Sequence, residues 1–326
     1  MRMSNICVLF ILIMFPFFWI NELHADEQKN ARRLELRYNA ALDAAVQDAA
    51  KSLIQTEQEG DGIGYQSSKH IQVNREEAMQ TFNKTLYINF GIQDDEVAKQ
   101  VLHTYIPVVL VIGYDGYYVY AEDEYISEKG EMERKKTWSI KKPYVHTDAL
   151  GNMFSFTLDE YVKIYNPTSR TWMEGIRQEL QNREKLPLLH DAETFDSVRR
   201  FAIISALQKE LETQINRYNA YLARIGAAYT FTLPTISHED WNNTVDDVGL
   251  LAFMQGIPVG TQRYNHFAFS GSRIVKKPLY YGFLKDGIKI VTKETCGKPD
   301  LVEEVFSSNK EAAFSGYIPK SCINQK

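Results

Sequence analysis

The sequence predicts an α+β fold, and three observations carry that prediction. A stretch free of Pro and Gly places apolar residues at steps of three and four, and a later stretch sets β-branched and aromatic residues around an Asp-Gly pair. Hydrophobic residues make up 44% of the chain and aromatic residues 12%, enough for a sizeable core. The 326 residues carry 37 Lys+Arg against 42 Asp+Glu, a formal charge of −5. That balance argues against a chain disordered as a whole and against a strongly basic nucleic-acid binder, so no nucleic-acid partner is expected.

The first element is an apolar helix. Arg2 precedes a run from Ile6 to Ile20, fifteen residues without a charge, and polar Asn21 and Glu22 follow. Fifteen helical residues rise about 22 Å, short of the roughly 30 Å of a hydrocarbon core. We therefore read residues 1–25 as a signal peptide or a membrane anchor, with the membrane contacted through residues 6–23 if the segment is retained. Leu23-His24-Ala25 offers a cleavage site after Ala25, and Trp19 stands where an interfacial aromatic belt would lie. Lys29, Arg32, Arg33 and Arg37 follow the run, which taken alone would place the body in the cytoplasm. Asp26 and Glu27 come first, however, and the basic residues belong to a helical pattern, so the expected location is exported or membrane-anchored with an extracytoplasmic body.

Residues 26–165 are expected to form a long helix followed by a meander. From Glu27 to Gln58, Leu34, Tyr38, Leu42, Ala45, Ala49 and Leu53 mark one helical face, with alanines that let a second helix approach closely. The cluster Gly60-Asp61-Gly62-Ile63-Gly64 ends it and lacks the sequence of a phosphate loop. Asn74 caps a predicted helix from Arg75 to Leu86, and a third helix is expected from Asp94 to His103. Strands are expected at Ile106 to Ile112 and Tyr117 to Tyr125, joined by Tyr114-Asp115-Gly116, then at Thr137 to Val145 and Met153 to Leu158, as one four-stranded antiparallel meander.

Residues 166–326 read as a helical block with C-terminal strands. Helices are expected at Arg170 to Glu184 and at Glu193 to Ala228, the latter with a stripe through Phe201, Ile204, Leu211, Ile215, Tyr218, Leu222 and Ile225. The long helices are candidates for self-association. A short strand at Thr230 to Leu233, a helix from Ser237 to Gln255, and strands at His266 to Val275, Leu279 to Leu284 and Ile288 to Lys293 complete the reading. Cys7 lies in the apolar run, which leaves Cys296 and Cys322 as the pair in the body. In an exported protein they read as one disulfide, worth about 3 kcal/mol on the chain-entropy model, and as two free thiols otherwise.

No catalytic constellation emerges, so an enzyme is not expected, nor a cofactor. His238-Glu239 begins like a zinc-protease motif, but Asn242 stands where the second ligand belongs, so no metal site is assigned. Asp246-Asp247, Glu122-Asp123-Glu124 and Ser270-Gly271-Ser272 lack the spacing of an acid–base pair, a calcium loop and a nucleophile elbow. The candidate binding residues are Tyr114, Asp115, Tyr117, Tyr118 and Tyr120, a polar-aromatic set along one hairpin that would mark a partner or ligand surface where it faces outward, and cross-strand packing where it does not.

The apolar segment running into a long Ala-rich helix and then a meander, residues 6 to 158, resembles the layout of type IV pilin-like and Tad-type pseudopilin-like proteins. No Gly-containing prepilin peptidase site precedes the run and no Glu lies near its start. The resemblance therefore implies an accessory component of a pilus, secretion or conjugation machine with protein partners in the cell envelope. The segment Val108-Val109-Leu110-Val111-Ile112-Gly113-Tyr114-Asp115-Gly116-Tyr117-Tyr118-Val119 is also similar to the central hairpin of Cache or PAS-like extracytoplasmic sensor domains, which implies a small-molecule pocket against the sheet.

Overall fold

A computed structural model describes residues 3–54, 72–127, 129–183, 186–227, 229–237, 239–241, 245–272, 280–285, 287–293, 299, 302–306 and 309–320, with the side chains of residues 3–9, 183, 293, 305 and 309–311 outside the description. The Gly cluster at 60–64, His238, and both Cys296 and Cys322 lie outside the described residues. The fold is α+β, as the periodicities predict, and divides into a unit of Met1–Arg273 and a unit of Ile274–Lys326.

In the first unit, helix α1 (Met3–Ser52) runs unbroken for 50 residues despite Pro16, which removes one backbone donor from its interior. Helix α2 (Arg75–Phe90) is capped by Asn74, whose side chain accepts from the Glu77 N–H, and ends at Gly91 in the left-handed region. Helix α3 (Glu96–Thr104) is capped in the same way by Asp95. Leu42, Ala45, Val46 and Ala49 of α1 pack with Ala78, Phe82 and Leu86 of α2, and the small alanines admit the second helix closely.

Both helices cover one face of a five-stranded antiparallel sheet, in the order β3-β2-β1-β8-β9. Its strands are β1 (Val108–Gly113), β2 (Gly116–Ile126), β3 (Met132–Trp138), β8 (Gly249–Val259) and β9 (Gln262–Gly271). Val109, Val111, Leu250, Ala252 and Met254 point to α1 and α2. Helix α6 (Ala192–Arg224) contacts β1 and β2 on the other face, so β1 is buried throughout its length.

A second antiparallel sheet, β4-β5-β6-β7, is built from β4 (Tyr144–Thr147), β5 (Met153–Phe156), β6 (Tyr161–Asn166) and β7 (Thr171–Ile176). Short helices α4 (Arg177–Arg183) and α5 (Pro187–His190) lead from it into α6. The N-terminal part of α6 seals this sheet, with Phe195 edge-on to Phe156 at 5.4 Å.

The expected four-stranded meander is thus two sheets. The chain follows β2 only as far as the bridge between Tyr117 and Lys142, and Pro143 then has no N–H with which to continue the ladder. The expected helix from Arg170 begins only at Arg177, because Thr171–Ile176 pairs along the whole of β6 and sets Trp172 against Tyr165 with ring centres 5.0 Å apart. The expected helix from Ser237 to Gln255 is replaced in its second half by β8. Gly249–Val259 is an apolar run buried on both faces between two strands, a pattern that periodicity alone does not assign. No strand forms at Thr230 to Leu233. The side-chain amides of Asn219 and Gln255 bond the backbone of Phe231 and Thr232 instead.

The stripe expected on α6 holds in its middle, where Leu211, Ile215 and Tyr218 are buried, and fails at its ends: Phe201 and Ile225 are exposed, and Phe195, Ala202, Ile203 and Leu207 form the buried face of the N-terminal half. Two sheets rather than one partner helix choose its inner face. The boundary expected between residues 165 and 166 falls inside β6, and the pairing of β1 with β8 ties the helical block to the N-terminal strands.

The second unit is a four-stranded sheet, β12-β10-β11-β13. It comprises β10 (Tyr280–Lys285), β11 (Ile288–Lys293), β12 (Glu304–Phe306) and β13 (Ile318–Pro319), with the helix Asn309–Phe314. Tyr280, Val291, Phe306, Ala312 and Tyr317 form its core. Gly282 lies under the rings of Phe306 and Tyr317, where a Cβ would come within 2.8 and 2.7 Å of them.

Candidate functional site

The five hairpin residues do not share one surface. Tyr114 and Tyr117 are only 2% and 6% exposed. The Tyr114 hydroxyl donates to Asp159 Oδ1 at 2.9 Å, and Asp115 pairs with Lys141 at 2.7 Å. Strand alternation sends Tyr118 and Tyr120 to the face that α1 and α2 cover. There the Arg75 guanidinium sits 4.6 Å from the Tyr118 ring and Trp138 lies 5.0 Å from Tyr120. The hairpin tyrosines are therefore packing residues, except that Tyr117 reaches a groove.

That groove, about 440 Å³, lies between α6 and the outer edge of β4. Its apolar wall is Pro143, Val145 and Phe201, the last 66% exposed, and its floor is polar. Glu210, buried on the inner face of α6, accepts from Tyr117 at 3.4 Å, from Lys142 Nζ at 2.8 Å and from Gln214 at 2.8 Å. Burial first, and then the Glu210 charge, push the Tyr117 phenol well above its ordinary range, so it stays a donor at any physiological pH. His146 and Ser205 line the same groove. Lys142, His146, Phe201 and Glu210 were not among the candidate binding residues, and Phe201 was expected only as part of the packing stripe on α6. Glu210 did carry a signal, an acidic residue set among the apolar positions Ile203, Leu207 and Leu211 of a helix.

A second concave feature, about 270 Å³, opens where α1 meets the β8–β9 turn. Glu27, Arg32 and Glu35 line it from the helix, and Thr261, Gln262 and Arg263 from the turn. Arg263 donates to the Gly256 carbonyl at 3.1 Å, and Ala31 packs against Gly260. On its other side α1 leaves the body, and Phe10–Leu23 carries exposed large apolar side chains in every direction, each 53 to 65% exposed.

Other polar clusters are structural. Arg199 and Arg200 join Asp196 to Asp246, which ties α6 to the approach to β8 and accounts for Asp246 without chemistry. The Lys136 ammonium donates to the carbonyls of His103 and Ile106 at 2.6 and 2.7 Å, closing the C-terminal end of α3, and its desolvation there lowers its pKa to about 8. Arg134, over the Tyr221 ring at 3.4 Å, and Arg217, on Asp123 at 2.7 Å, bind the acidic end of β2 to α6. Among the described residues no group of His, Cys, Asp and Glu is placed to hold a metal ion. Among them, too, no helix is long and apolar enough to cross a membrane, although the run from Ile6 lies partly outside the residues whose side chains are described. No protein-family model, curated protein or solved structure matches the chain.

Proposed function

We propose that this chain is a non-enzymatic, envelope-associated interaction protein, an accessory component of a pilus, secretion or conjugation machine, held at the membrane by the N-terminal part of α1 with its body extracytoplasmic. One observation carries the reading: from Phe10 to Leu23 the apolar side chains are exposed all round the helix, while the same helix buries a single stripe from Leu42 to Leu53. A groove in a partner protein covers one face of a helix; only an isotropic apolar solvent, or several neighbours at once, covers all of them. The continuity of α1 through Leu23-His24-Ala25 favours a retained anchor over a cleaved signal, because that site lies within a helix extending 27 residues further.

The test is fractionation and protease shaving of spheroplasts, with the mass of the mature amino terminus. A full-length chain in the membrane fraction whose body is digested from outside is expected. A body protected until the membrane is broken would place it in the cytoplasm and overturn the location.

The groove between α6 and β4 supports a second reading, a small-molecule-binding module, since its volume lies in the range of roughly 300–1,000 Å³ typical of ligand sites and apolar walls flank a few polar groups. A ligand panel scored by thermal shift separates the two readings: a hit lost in Phe201→Asp favours the sensor.

A further inference from the structure

We infer that the groove between α6 and β4 takes an extended peptide of a partner protein, which adds to the edge of β4 as an antiparallel strand with an apolar side chain against Phe201 and an acidic one, four residues later, at Lys209. The inference rests on the reading of this chain as an interaction protein. Val145 and His146 point to opposite faces of their sheet, yet both line the groove, so it follows the edge of the strand rather than a face.

The hairpin register fixes which backbone groups look into the groove. The Asp148 N–H donates to the Asn152 carbonyl at 3.0 Å, so the β4–β5 hairpin closes on a hydrogen-bonded pair. Bonded and non-bonded pairs alternate along an antiparallel ladder. Counting back from Asp148, His146 with Phe154 and Tyr144 with Phe156 are bonded pairs, and Thr147 with Met153 and Val145 with Ser155 are not. The N–H and C=O groups of Val145 and Thr147 therefore point away from β5, and among the described residues no hydrogen bond takes them up. Edge strands are commonly guarded by charge: β3, an edge of the five-stranded sheet, carries Glu133, Arg134, Lys135 and Lys136. β4 has no Lys, Arg, Asp or Glu, and its Val145 is 41% exposed.

α6 sets the side chains of the peptide. Phe201, Ser205 and Lys209 line the groove at successive turns, and Phe201 and Lys209 are about 12 Å apart along the helix. On an extended chain, residues four apart share a face and lie about 13 Å apart. Among the described residues Lys209 has no ion pair, whereas the Glu210 carboxylate is held by Tyr117, Lys142 and Gln214. The formal sum over Lys142, Lys209 and Glu210 is thus positive, which suits an acidic side chain. The bond from Lys142 to Glu210 sets that end of α6 at the start of β4, so an antiparallel peptide meets Phe201 before Lys209.

The experiment uses the full chain in detergent and a fluorescent nonapeptide of Ser and Thr with Leu third and Glu seventh, read by anisotropy. It should bind about tenfold more tightly than the peptide with Glu moved to the sixth place, which turns the carboxylate to the other face. Two further versions carry N-methyl groups at alternate backbone positions in opposite phases. One phase should lose about tenfold and the other should bind as before, because only every second N–H faces β4. Equal effects of the two phases would overturn strand addition. Lys209→Glu, at an exposed position, should reject the Glu peptide and accept one with Lys in its place, at unchanged thermal unfolding. Val145→Pro removes an N–H that the β5 ladder does not use and should also weaken binding. Absence of binding by every peptide, with or without small-molecule hits in the thermal-shift panel, would overturn the inference and leave the envelope reading standing. Peptide binding by a chain whose body proves cytoplasmic would support the site and overturn only the location.

Discussion

The two ends of α1 distribute their apolar residues in opposite ways. Between Ala41 and Leu53 the apolar residues are small or aliphatic and confined to one face, and Leu42, Ala45, Ala49 and Leu53 are fully buried. Between Phe10 and Leu23 they are large, often aromatic, and cover every face. A stripe of alanines gives Phe82 and Leu86 of α2 room to pack against α1, so dispersion contacts accumulate between the two helices. An all-round coat of Phe, Ile and Leu presents no stripe to a sheet. Hydrophobicity alone does not tell a core helix from an anchor; its angular distribution does.

The largest expected effect comes from placing a charge on the buried end. Ala45→Asp puts a carboxylate among Leu42, Ala49 and the sheet with no partner, costing several kcal/mol, and circular dichroism should find the body unfolded or close to it. The same charge at the other end, Phe15→Asp, should leave the unfolding midpoint of the body unchanged and lower vesicle partitioning by about 100-fold, from the roughly 3 kcal/mol cost of Asp at a membrane-helix centre. Equal behaviour of the two variants would break the comparison.

Acid should act on the body end as well. The His103 imidazole shares a hydrogen bond with the Tyr87 hydroxyl of α2 at 2.5 Å, and burial first, then the Lys136 ammonium, lower its pKa from 6.5 to about 4. In that window the unfolded chain binds the proton that the folded chain refuses. Stability is therefore full above pH 6.5 and falls as the pH drops toward 4, by up to about 3 kcal/mol. Urea titrations on either side of the window should show this, and His103→Asn should flatten it. The smallest effect is at the cap of the helix that covers the alanines. Asn74→Ala should cost about 1 kcal/mol, seen as a lower urea midpoint at unchanged slope.

Features written in neighbouring residues were legible without the structure. Asn74 capped the helix expected of it, a helix formed close to the bounds expected from Asp94 to His103, and Tyr114-Asp115 turned the β1–β2 hairpin. Gly287 likewise follows β10 into β11. The apolar run β8 was not legible, since it is buried on both faces and shows no alternation. Neither was β7, whose Thr171-Trp172-Met173-Glu174 lies beside helix formers and becomes a strand only because β6 offers it a ladder. The groove escaped for the same reason: Lys142, Val145, Phe201 and Glu210 come from an edge strand and a helix that meet only after two sheets have formed.

What the sequence by itself determined is therefore local: the helical periodicity of α1, its all-round apolar beginning, the caps, the tight turns and the α+β class. Each depends on interactions within a few residues, where side-chain spacing and backbone preference suffice. The tertiary structure alone decided which strands share a sheet, which face of α6 turns inward and which charges meet. Those outcomes depend on pairings across tens to more than two hundred residues, such as Val109 with Ala252 and Asn39 with Tyr264, and no local pattern encodes the partner.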